Sequence, residues 1–329
     1  MTTPLVIAMP ANKAMAQMLA QSLPADIGGI EVRSFPDGET YLRFLSDLSE
    51  RMVVIACTLD RPNEKILPVL FAAATARELG AEKVGLVAPY LAYMRQDRRF
   101  KPGEAVTSRQ IAQLLSNAFD WLVTVDPHLH RHGSLAEIYR IPTRVVHAAP
   151  LISQWIKTQV PNPFVIGPDS ESEQWVSVVA KDSDAPYAVL EKVRRGDRDV
   201  EVSAESLPDL DGRTPVLVDD IISSGRTMIA AVRLIVKQAA PAPVCVAVHG
   251  LFADHSDQLL ARAGARVVTS NSIPHATNDI DVAEALATSI RQLCKLGPLN
   301  DRVALLEFGL EFSARCGLRS SSALRSFLR

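Results

Sequence analysis

VLVDDIISSGRTM, from Val216 to Met228, joins an apolar, β-branched run to two acids, a Ser-Ser-Gly turn and the start of a segment with helical spacing. The pattern predicts a buried strand, a tight turn and a helix that begins near Thr227. In open parallel sheets, ligands bind just outside the carboxyl ends of the strands. The stretch therefore favours an α/β fold whose ligand site contains Asp219 and Asp220.

The same alternation of short apolar runs and helical periods extends to both sides of this stretch. Further strands are predicted around 7–9 and at 52–57, 83–90, 121–126, 164–169 and 244–252,. Helices are predicted at 64–79, 108–119, 148–158 and 227–239,. No internal sequence repeat is evident, but a break between Ile141 and Pro150 predicts two similar domains, each a mostly parallel sheet flanked by helices,. We place them at 1–146 and 147–294, with a tail of unassigned role at 295–329.

The composition argues against several classes of protein. A chain of 329 residues, 47% of them hydrophobic, is large enough for two packed cores,. Its 35 basic and 37 acidic residues are interspersed, so no charged block indicates binding to nucleic acid or to a membrane surface,. The four cysteines form no CxxC pair, which argues against a zinc ribbon or a disulfide framework,. No apolar run approaches the roughly 20 residues of a membrane span, so a soluble cytoplasmic protein is expected.

The turn after the two acids has the chemistry of a sugar-phosphate site. Backbone amides at the start of a helix attract an anion, and hydroxyls beside them add hydrogen bonds to phosphate oxygens. Carboxylates cannot bind phosphate themselves, but they can bind ribose hydroxyls directly or through a magnesium shell. The candidate substrate-binding residues are Asp219, Asp220, Ser223, Ser224, Gly225, Arg226 and Thr227. The alternative interpretation is a helix-capping turn beside solvated acids.

This segment resembles the phosphoribosyl diphosphate loop that phosphoribosyltransferases share with ribose-phosphate diphosphokinases. Five other segments resemble the diphosphokinases: FPDGE (35–39), PYLAYMRQDRRFKPGE (89–104), VDPH (125–128), GPD (167–169) and EKVRRGDRDVEV (191–202). Ordinary phosphoribosyltransferases lack the N-terminal half. The resemblance implies two phosphoribosyltransferase-like domains. The chain departs from the family where Arg226 replaces a small residue and where PDSESE (168–173) replaces a glycine-containing PDxGG.

The resemblance also implies roles for individual residues. The residues that match ATP-binding segments are Phe35, Asp37, Glu39, Arg95, Gln96 and His128. His128 and Asp169 match positions associated with Mg²⁺, and Lys192 and Arg194 match the cations of the catalytic arm. Each pattern also has a plainer interpretation. The sequence xPDGx is a common turn, the cations at 95–99 and 191–202 suit solvated loops, and the histidines at 128, 130 and 132 could converge on zinc from an extended strand,.

The activity implied by the resemblance is transfer of the β,γ-diphosphoryl group of MgATP to O1 of ribose 5-phosphate, which gives 5-phosphoribosyl 1-diphosphate and AMP. Preorganised cations are the main stabilisation that a protein can offer such a transfer. In the family the FPDGE loop comes from a neighbouring subunit. This implies a homo-oligomer built from dimers, such as a hexamer, with a shared ATP site. Two alternatives stay open: a weakly active, synthetase-associated homologue that regulates a partner, and a phosphoribosyltransferase.

Overall fold

The computed structural model describes residues 2–129, 131–169, 172–190, 192–194, 200–202, 209–237 and 241–295. The predicted tail beyond Lys295 lies outside the described residues, as do His130, the pair Ser170 and Glu171, and the middle of the arm at 195–199. Within the described ranges, no helix has the length and apolar character needed to cross a membrane.

The N-terminal half of the chain builds a six-stranded sheet in which all neighbouring strands are parallel. Its strands are β1 (Leu5–Ala8), β2 (Asp26–Gly28), β5 (Met52–Ala56), β6 (Lys83–Ala88), β7 (Trp121–Val125) and β8 (Thr143–Val146), in the order β2-β1-β5-β6-β7-β8. A separate antiparallel hairpin contains β3 (Ile30–Ser34) and β4 (Thr40–Phe44). The helices of this half are α1 (Lys13–Ser22), α2 (Pro62–Glu78) and α3 (Thr107–Ala118).

The C-terminal half builds a second six-stranded parallel sheet. Its strands are β9 (Pro163–Gly167), β10 (Tyr187–Val189), β13 (Thr214–Ile222), β14 (Val244–Gly250), β15 (Arg266–Ser270) and β16 (Asn278–Ile280), in the order β10-β9-β13-β14-β15-β16. A short antiparallel ribbon contains β11 (Lys192–Arg194) and β12 (Val200–Val202). The helices are α4 (Ala149–Gln159), α5 (Glu173–Asp182), α6 (Arg226–Lys237), α7 (Ser256–Arg262) and α8 (Ala283–Cys294).

The two sheets share one topology. In each, the second strand lies outside the first, the third main strand pairs with the other side of the first, and the remaining strands follow outward in chain order. A two-stranded antiparallel ribbon is inserted after the second strand in both halves. The prediction of two similar α/β domains with parallel sheets is confirmed.

The core forms because the central strands are apolar on both faces, as parallel sheets between helices require. Val53, Val54 and Ile55 of β5, for example, have no exposed surface. The last helix, α8, buries Leu286 and Ile290 and packs on α1, β7 and β8 of the first half. Although α8 follows the second sheet in the chain, its apolar face thus covers the first sheet.

The predicted strands and helices are present, with ends shifted by a few residues. Two differences affect the site. Asp219 and Asp220 lie inside β13 rather than after it, because β13 pairs with β9 only to Leu217 but with β14 as far as Ile222. The two acids therefore project beyond the end of β9 while their backbone stays in the sheet. The helix expected near Thr227 begins one residue earlier, at Arg226.

Candidate active site

A cavity of about 590 Å³ lies between the carboxyl ends of the two sheets. Residues of both halves line it: Arg95, Asp126, Pro127, His128, Leu129, Val145 and His147 from the first, and Asp169, Ser172, Trp175, Asp219, Asp220, Ile221 and Ser223 from the second. In parallel α/β sheets this edge is where ligands bind. Its location and size suit a pair of small substrates.

The acids of the second half lie where the strand order of its sheet reverses. Asp169 follows β9, and Asp219 and Asp220 belong to the neighbouring β13. Helical connections leave two such strands toward opposite faces of the sheet, which opens a crevice between their carboxyl ends. The topology thus brings Asp169 to the adjacent acids Asp219 and Asp220, although at least 50 positions separate it from them in sequence (219 − 169).

The two adjacent acids differ in their tendency to ionise. Asp219 faces the cavity with only part of its surface and is otherwise enclosed by protein. Burial raises its pKa well above the usual range, and the negative charges of Asp220 and Asp169 raise it further,. Burial also opposes ionisation of Asp220, but the hydrogen bond and charge of His128 outweigh that effect and lower its pKa. Of the two carboxyl groups, Asp220 is therefore the one that ionises more readily,.

His128 connects the two halves across the cavity. It lies on the loop after β7, and its Nδ1 atom is 2.7 Å from Oδ2 of Asp220. The loop begins at Asp126, whose φ of 26° is unusual for a residue other than glycine,. The Asp126 carboxylate accepts hydrogen bonds from the Ala148 amide at 2.7 Å and from Nδ1 of His147 at 3.0 Å. The hydrogen bond between His147 and Asp126 raises the pKa of His147.

The turn between β13 and α6 is the predicted phosphate-binding turn. Ser223 lines the cavity, and Gly225 has a φ of 64°, in the left-handed region that glycine adopts without strain,. A Cβ atom at Gly225 would lie 3.1 Å from Cβ of Ser256, which leaves little room for a side chain. Ser256 donates a hydrogen bond of 2.6 Å to the carbonyl of Ser223. The turn is thus held from behind, and the first amides of α6 follow it.

The other residues of the predicted phosphate-binding turn follow Ser223 in the chain. Ser224, Gly225, Arg226 and Thr227 are not among the described residues that line the cavity. Arg226 is exposed at the first position of α6, and Ser224 and Thr227 are partly exposed. Their contact with a ligand stays a prediction.

The predicted ATP-binding stretch after β6 divides into several parts. Arg95 lines the cavity, whereas the backbone carbonyl of Gln96 accepts a hydrogen bond of 3.4 Å from the amide of Ser108 at the start of α3. The neighbouring Asp97 is buried and accepts two hydrogen bonds, at 3.0 and 3.1 Å, from Arg131. Arg95 is thus the residue of this stretch that lies at the cavity.

The FPDGE segment forms the turn between β3 and β4. The Phe35 amide donates to the Glu39 carbonyl at 2.7 Å, and Gly38 has a φ of 94°. The Phe35 ring is 41% exposed, with the guanidinium of Arg33 at 5.0 Å from its centre. Phe35, Asp37 and Glu39 are not among the described residues that line the cavity of their own chain. The segment thus forms a turn, and its contact with a nucleotide stays a prediction.

The predicted catalytic cations lie on β11. The backbones of Lys192 and Arg194 pair with Val202 and Val200 of β12. β12 in turn lies beside α6, the helix that follows the predicted phosphate-binding turn. The positions of their side chains fall outside what the structure describes, so their role stays a prediction.

The carboxylates of the cavity fit a magnesium ion. Among the described residues, no group of three or more His, Cys, Asp and Glu has the arrangement of a metal cluster. Mg²⁺, however, commonly uses one or two protein carboxylates and takes its other ligands from water and substrate phosphate. Two negative charges that raise the pKa of Asp219 mark a place where a cation would be stabilised,. His128 and Asp169, the predicted metal residues, both line this cavity.

Several cavity residues were not identified from the sequence. His147 follows β8, and Ser172 donates a hydrogen bond of 2.6 Å to the carbonyl of Asp169. Trp175, on the first turn of α5, supplies an aromatic wall. Recognition of β8 would have identified His147 as another polar residue at the carboxyl edge. Ser172 and Trp175 could not be placed without the position of α5.

Comparison with known proteins agrees with this arrangement. Residues 5–118 match the N-terminal domain of ribose phosphate pyrophosphokinase, and residues 134–285 match the phosphoribosyl transferase domain. The ribose-phosphate pyrophosphokinases of Saccharolobus solfataricus and Methanopyrus kandleri are each 33% identical to this chain; the alignments cover 87% and 88% of it and 100% and 99% of the relatives. The chain belongs to the ribose-phosphate pyrophosphokinase family. It is therefore an enzyme of this type, and the family resemblance deduced from the motifs is confirmed.

A solved structure supports the same family at the level of the fold. The phosphoribosylpyrophosphate synthetase of Mycobacterium smegmatis is similar to this pyrophosphokinase with a TM-score of 0.76 and 25% sequence identity, over 90% of this chain and 100% of the other. The similarity extends across both sheets. The chain is thus an enzyme of phosphoribosyl diphosphate synthesis, a transferase activity that belongs to nucleotide biosynthesis.

Proposed function

We propose that this pyrophosphokinase transfers the β,γ-diphosphoryl group of ATP to O1 of ribose 5-phosphate. O1 attacks the β-phosphorus and loses its proton, while the bond from the β-phosphorus to the oxygen shared with the α-phosphate breaks. AMP leaves with that oxygen, and 5-phosphoribosyl 1-diphosphate remains. The observation that carries the proposal is the contact of His128 with Asp220, because it joins a predicted ATP residue to a predicted ribose residue within one cavity.

The second half of the chain holds the sugar phosphate. The phosphate binds at the turn that begins with Ser223, where amides at the start of α6 and nearby hydroxyls favour an anion. Asp219 and Asp220 hold the ribose hydroxyls. A protonated Asp219 can donate a hydrogen bond while an ionised Asp220 accepts one, so the difference between their pKa values suits a group that does both,. O1 then points toward the first half.

The first half holds ATP. Arg95 and His128 face the cavity and meet the triphosphate,. The exposed turn at Phe35, with Asp37 and Glu39, reaches the adenine of a neighbouring subunit. This arrangement is supported by the separation of the turn from the cavity of its own chain, and it requires a homo-oligomer built from dimers.

Charge stabilisation carries most of the catalysis. Asp169 and His128 would hold Mg²⁺, which would supply positive charge to offset the negative charge of the triphosphate. Lys192 and Arg194, from the ribbon beside α6, stabilise the charge that develops between the β-phosphate and the leaving AMP. The residues described at the cavity position the substrates and form no covalent bond with them.

The decisive experiment identifies the products. Purified full-length protein is incubated with ATP, ribose 5-phosphate and MgCl₂, and the phosphorus species are followed by ³¹P NMR together with chromatography of the nucleotides. We expect AMP and 5-phosphoribosyl 1-diphosphate in equal amounts. Omission of ribose 5-phosphate, or addition of EDTA, should abolish AMP formation.

The other functions give different results in the same assay. ADP in place of AMP would show transfer of a single phosphoryl group and would exclude the proposal. ATP binding without turnover would favour the regulatory homologue. A phosphoribosyltransferase would leave ATP intact and would consume added 5-phosphoribosyl 1-diphosphate only when a nucleobase is present.

A further inference from the structure

A group of buried, hydrogen-bonded polar residues joins the two sheets behind the cavity. His249, near the end of β14, and Ser272, after β15, are each 1% exposed, as is Thr58 of the first half. Buried polar groups are destabilising unless they are hydrogen-bonded. The Thr58 hydroxyl donates to the Ser272 carbonyl at 2.7 Å, and Nε2 of His249 lies 3.3 Å from the Asp126 carbonyl. Both bonds cross from one half to the other.

The hydrogen bonds of His249 define its protonation. Burial lowers its pKa, so the imidazole is neutral and carries one proton,. The Asp126 carbonyl can only accept, which places the proton on Nε2. The Ser272 hydroxyl donates its one proton to the Val248 carbonyl and shares it with Nδ1 of His249, each of which lies 2.9 Å away,. Ser272 thus orients the ring that holds Asp126.

His249 connects the elements that carry the two central site residues. On one side it pairs in register with Ile221 of β13, the residue after Asp220. On the other it holds the carbonyl of Asp126, two residues before His128. Asp126 has a left-handed backbone with a φ of 26°, and such a conformation persists only when its surroundings hold it,. The bond from His249 is part of that support.

We propose that His249, oriented by Ser272, is a positioning residue that sets the separation between the ATP half and the ribose half of the active site. His249 is not among the described residues that line the cavity, so it acts through Asp126 and not on a substrate. Because this role rests on the proposed function, its test includes one measurement that does not depend on turnover.

Three substitutions separate positioning from folding. His249→Leu removes both hydrogen bonds, whereas His249→Gln keeps an N–H donor near the position of Nε2. Ser272→Ala removes only the orienting hydroxyl. The matched control is Ser153→Ala, because Ser153 is also buried but bonds only to the Ala149 and Val179 carbonyls away from the cavity. Each variant is first compared with wild type in thermal unfolding.

Kinetics and binding then test the role. We expect His249→Leu to lower kcat by about 10- to 100-fold, since small misplacements of reacting groups have effects of that size. The Kd values of ATP and of ribose 5-phosphate, each measured alone, should change by less than about 2-fold, because each substrate contacts mainly one half. His249→Gln should restore kcat to within about 3-fold of wild type, Ser272→Ala should lower it by about 3- to 10-fold, and Ser153→Ala should leave it unchanged.

Crystal structures of wild type, His249→Leu and His249→Gln give the measurement that needs no turnover. The distance from His128 Nδ1 to Asp220 Oδ2 should exceed about 3.5 Å in the Leu variant and stay hydrogen-bonded in the Gln variant. An unchanged distance and kcat in a folded Leu variant would refute the role. If the His249→Leu variant does not fold, the other two variants decide. Full activity of Ser272→Ala, together with a His249→Gln variant that is no more active than unfolded protein, would also refute the role. Absence of AMP formation in wild type would instead refute the proposed function and leave the distance test valid.

Discussion

Nδ1 of His128 lies 2.7 Å from Oδ2 of Asp220, although 92 positions separate the two residues and they belong to different sheets. The contact exists because the carboxyl ends of β7 and β13 face one another across the cavity. Each sheet alone offers half of a site. The chemistry proposed here requires both halves, since the diphosphoryl group must pass from a nucleotide on one to a sugar on the other.

Replacement of His128 should show whether this contact supports catalysis. We expect His128→Leu to lower kcat by about 100-fold, because Asp220 loses a hydrogen bond and the triphosphate loses a partner. His128→Asn should retain more activity, since the Asn amide can donate from near the position of Nδ1. Steady-state kinetics with ATP and ribose 5-phosphate give the values.

A double-mutant cycle isolates the pair. Asp220→Asn and the combination with His128→Leu are measured under the same conditions, and we expect a coupling of about 1–3 kcal/mol in kcat/KM. Strictly additive effects would mean that the two residues act independently. The cycle needs all four proteins to unfold at similar temperatures.

The sequence predicted which acids lie at the site, but not the side chains with which they form hydrogen bonds. Apolar runs that end in Asp126, Asp169 and Asp219 indicate a shared carboxyl edge, because parallel strands place such ends together. Nothing in a local pattern shows which acid meets which base. The pairing of His128 with Asp220, and of Asp97 with Arg131, depends on how distant segments pack.

The sequence predicted two similar domains, but without an internal repeat it could not show how their sites compare. The halves share strand order, but their side chains at equivalent places differ in chemistry. A second cavity of about 900 Å³ lies at the carboxyl ends of β1 and β5, the strands equivalent to β9 and β13. Met9 and Cys57 line it, together with polar residues that include Asn63 and Glu64. The two cavities therefore occupy equivalent edges of the sheets but differ in their lining, and the adjacent acids Asp219 and Asp220 belong to the cavity between the halves.

The pKa of Asp219 predicts how stability depends on pH. A carboxyl group with a raised pKa in the folded state binds its proton more tightly when folded than when unfolded. It therefore stabilises the fold at low pH, and this contribution is lost as the pH rises from about the unfolded value of 3.8 through the raised folded value,. Asp219→Asn removes the penalty of ionisation. We expect its Tm at pH 8 to exceed that of wild type by at least about 2 °C, with a smaller difference at pH 5.

Magnesium provides a second readout for Asp219. MgCl₂ should raise the Tm of wild type at pH 8, because a cation stabilises the ionised acids, and should raise the Tm of Asp219→Asn less. Asp182→Asn is the control, since Asp182 is an exposed acid at the end of α5. A Tm difference that does not change with pH would show that Asp219 ionises normally.

Substitution of Gly225 tests the close packing of the proposed phosphate-binding turn. Gly225→Ala places a Cβ atom 3.1 Å from Cβ of Ser256 and puts a side chain on a backbone with a φ of 64°. We expect a loss of about 1–2 kcal/mol in the free energy of unfolding and at least about a 5-fold increase in the Kd of ribose 5-phosphate, measured by calorimetry. Gly212→Ala is the control, because Gly212 has a φ of 70° but no atom within 4 Å of the added group. It should lose stability while ribose 5-phosphate binds normally; equal Kd changes in both variants would show that the turn has no special packing.

Arg226, which departs from the family pattern, has two opposite possible effects to test: it adds a cation for phosphate, or it obstructs the turn. The structure places it at the first position of α6, exposed, while the glycine conformation that the turn needs falls on Gly225. We therefore expect Arg226 to attract phosphate without blocking the turn. Arg226→Ala should raise the Kd of ribose 5-phosphate by about 3-fold at low salt, and the difference should shrink at 0.5 M KCl because salt screens exposed charges. Arg233→Ala, at an exposed position further along the same helix, should have a smaller effect. Tighter binding by Arg226→Ala would show instead that the arginine obstructs the approach of the phosphate.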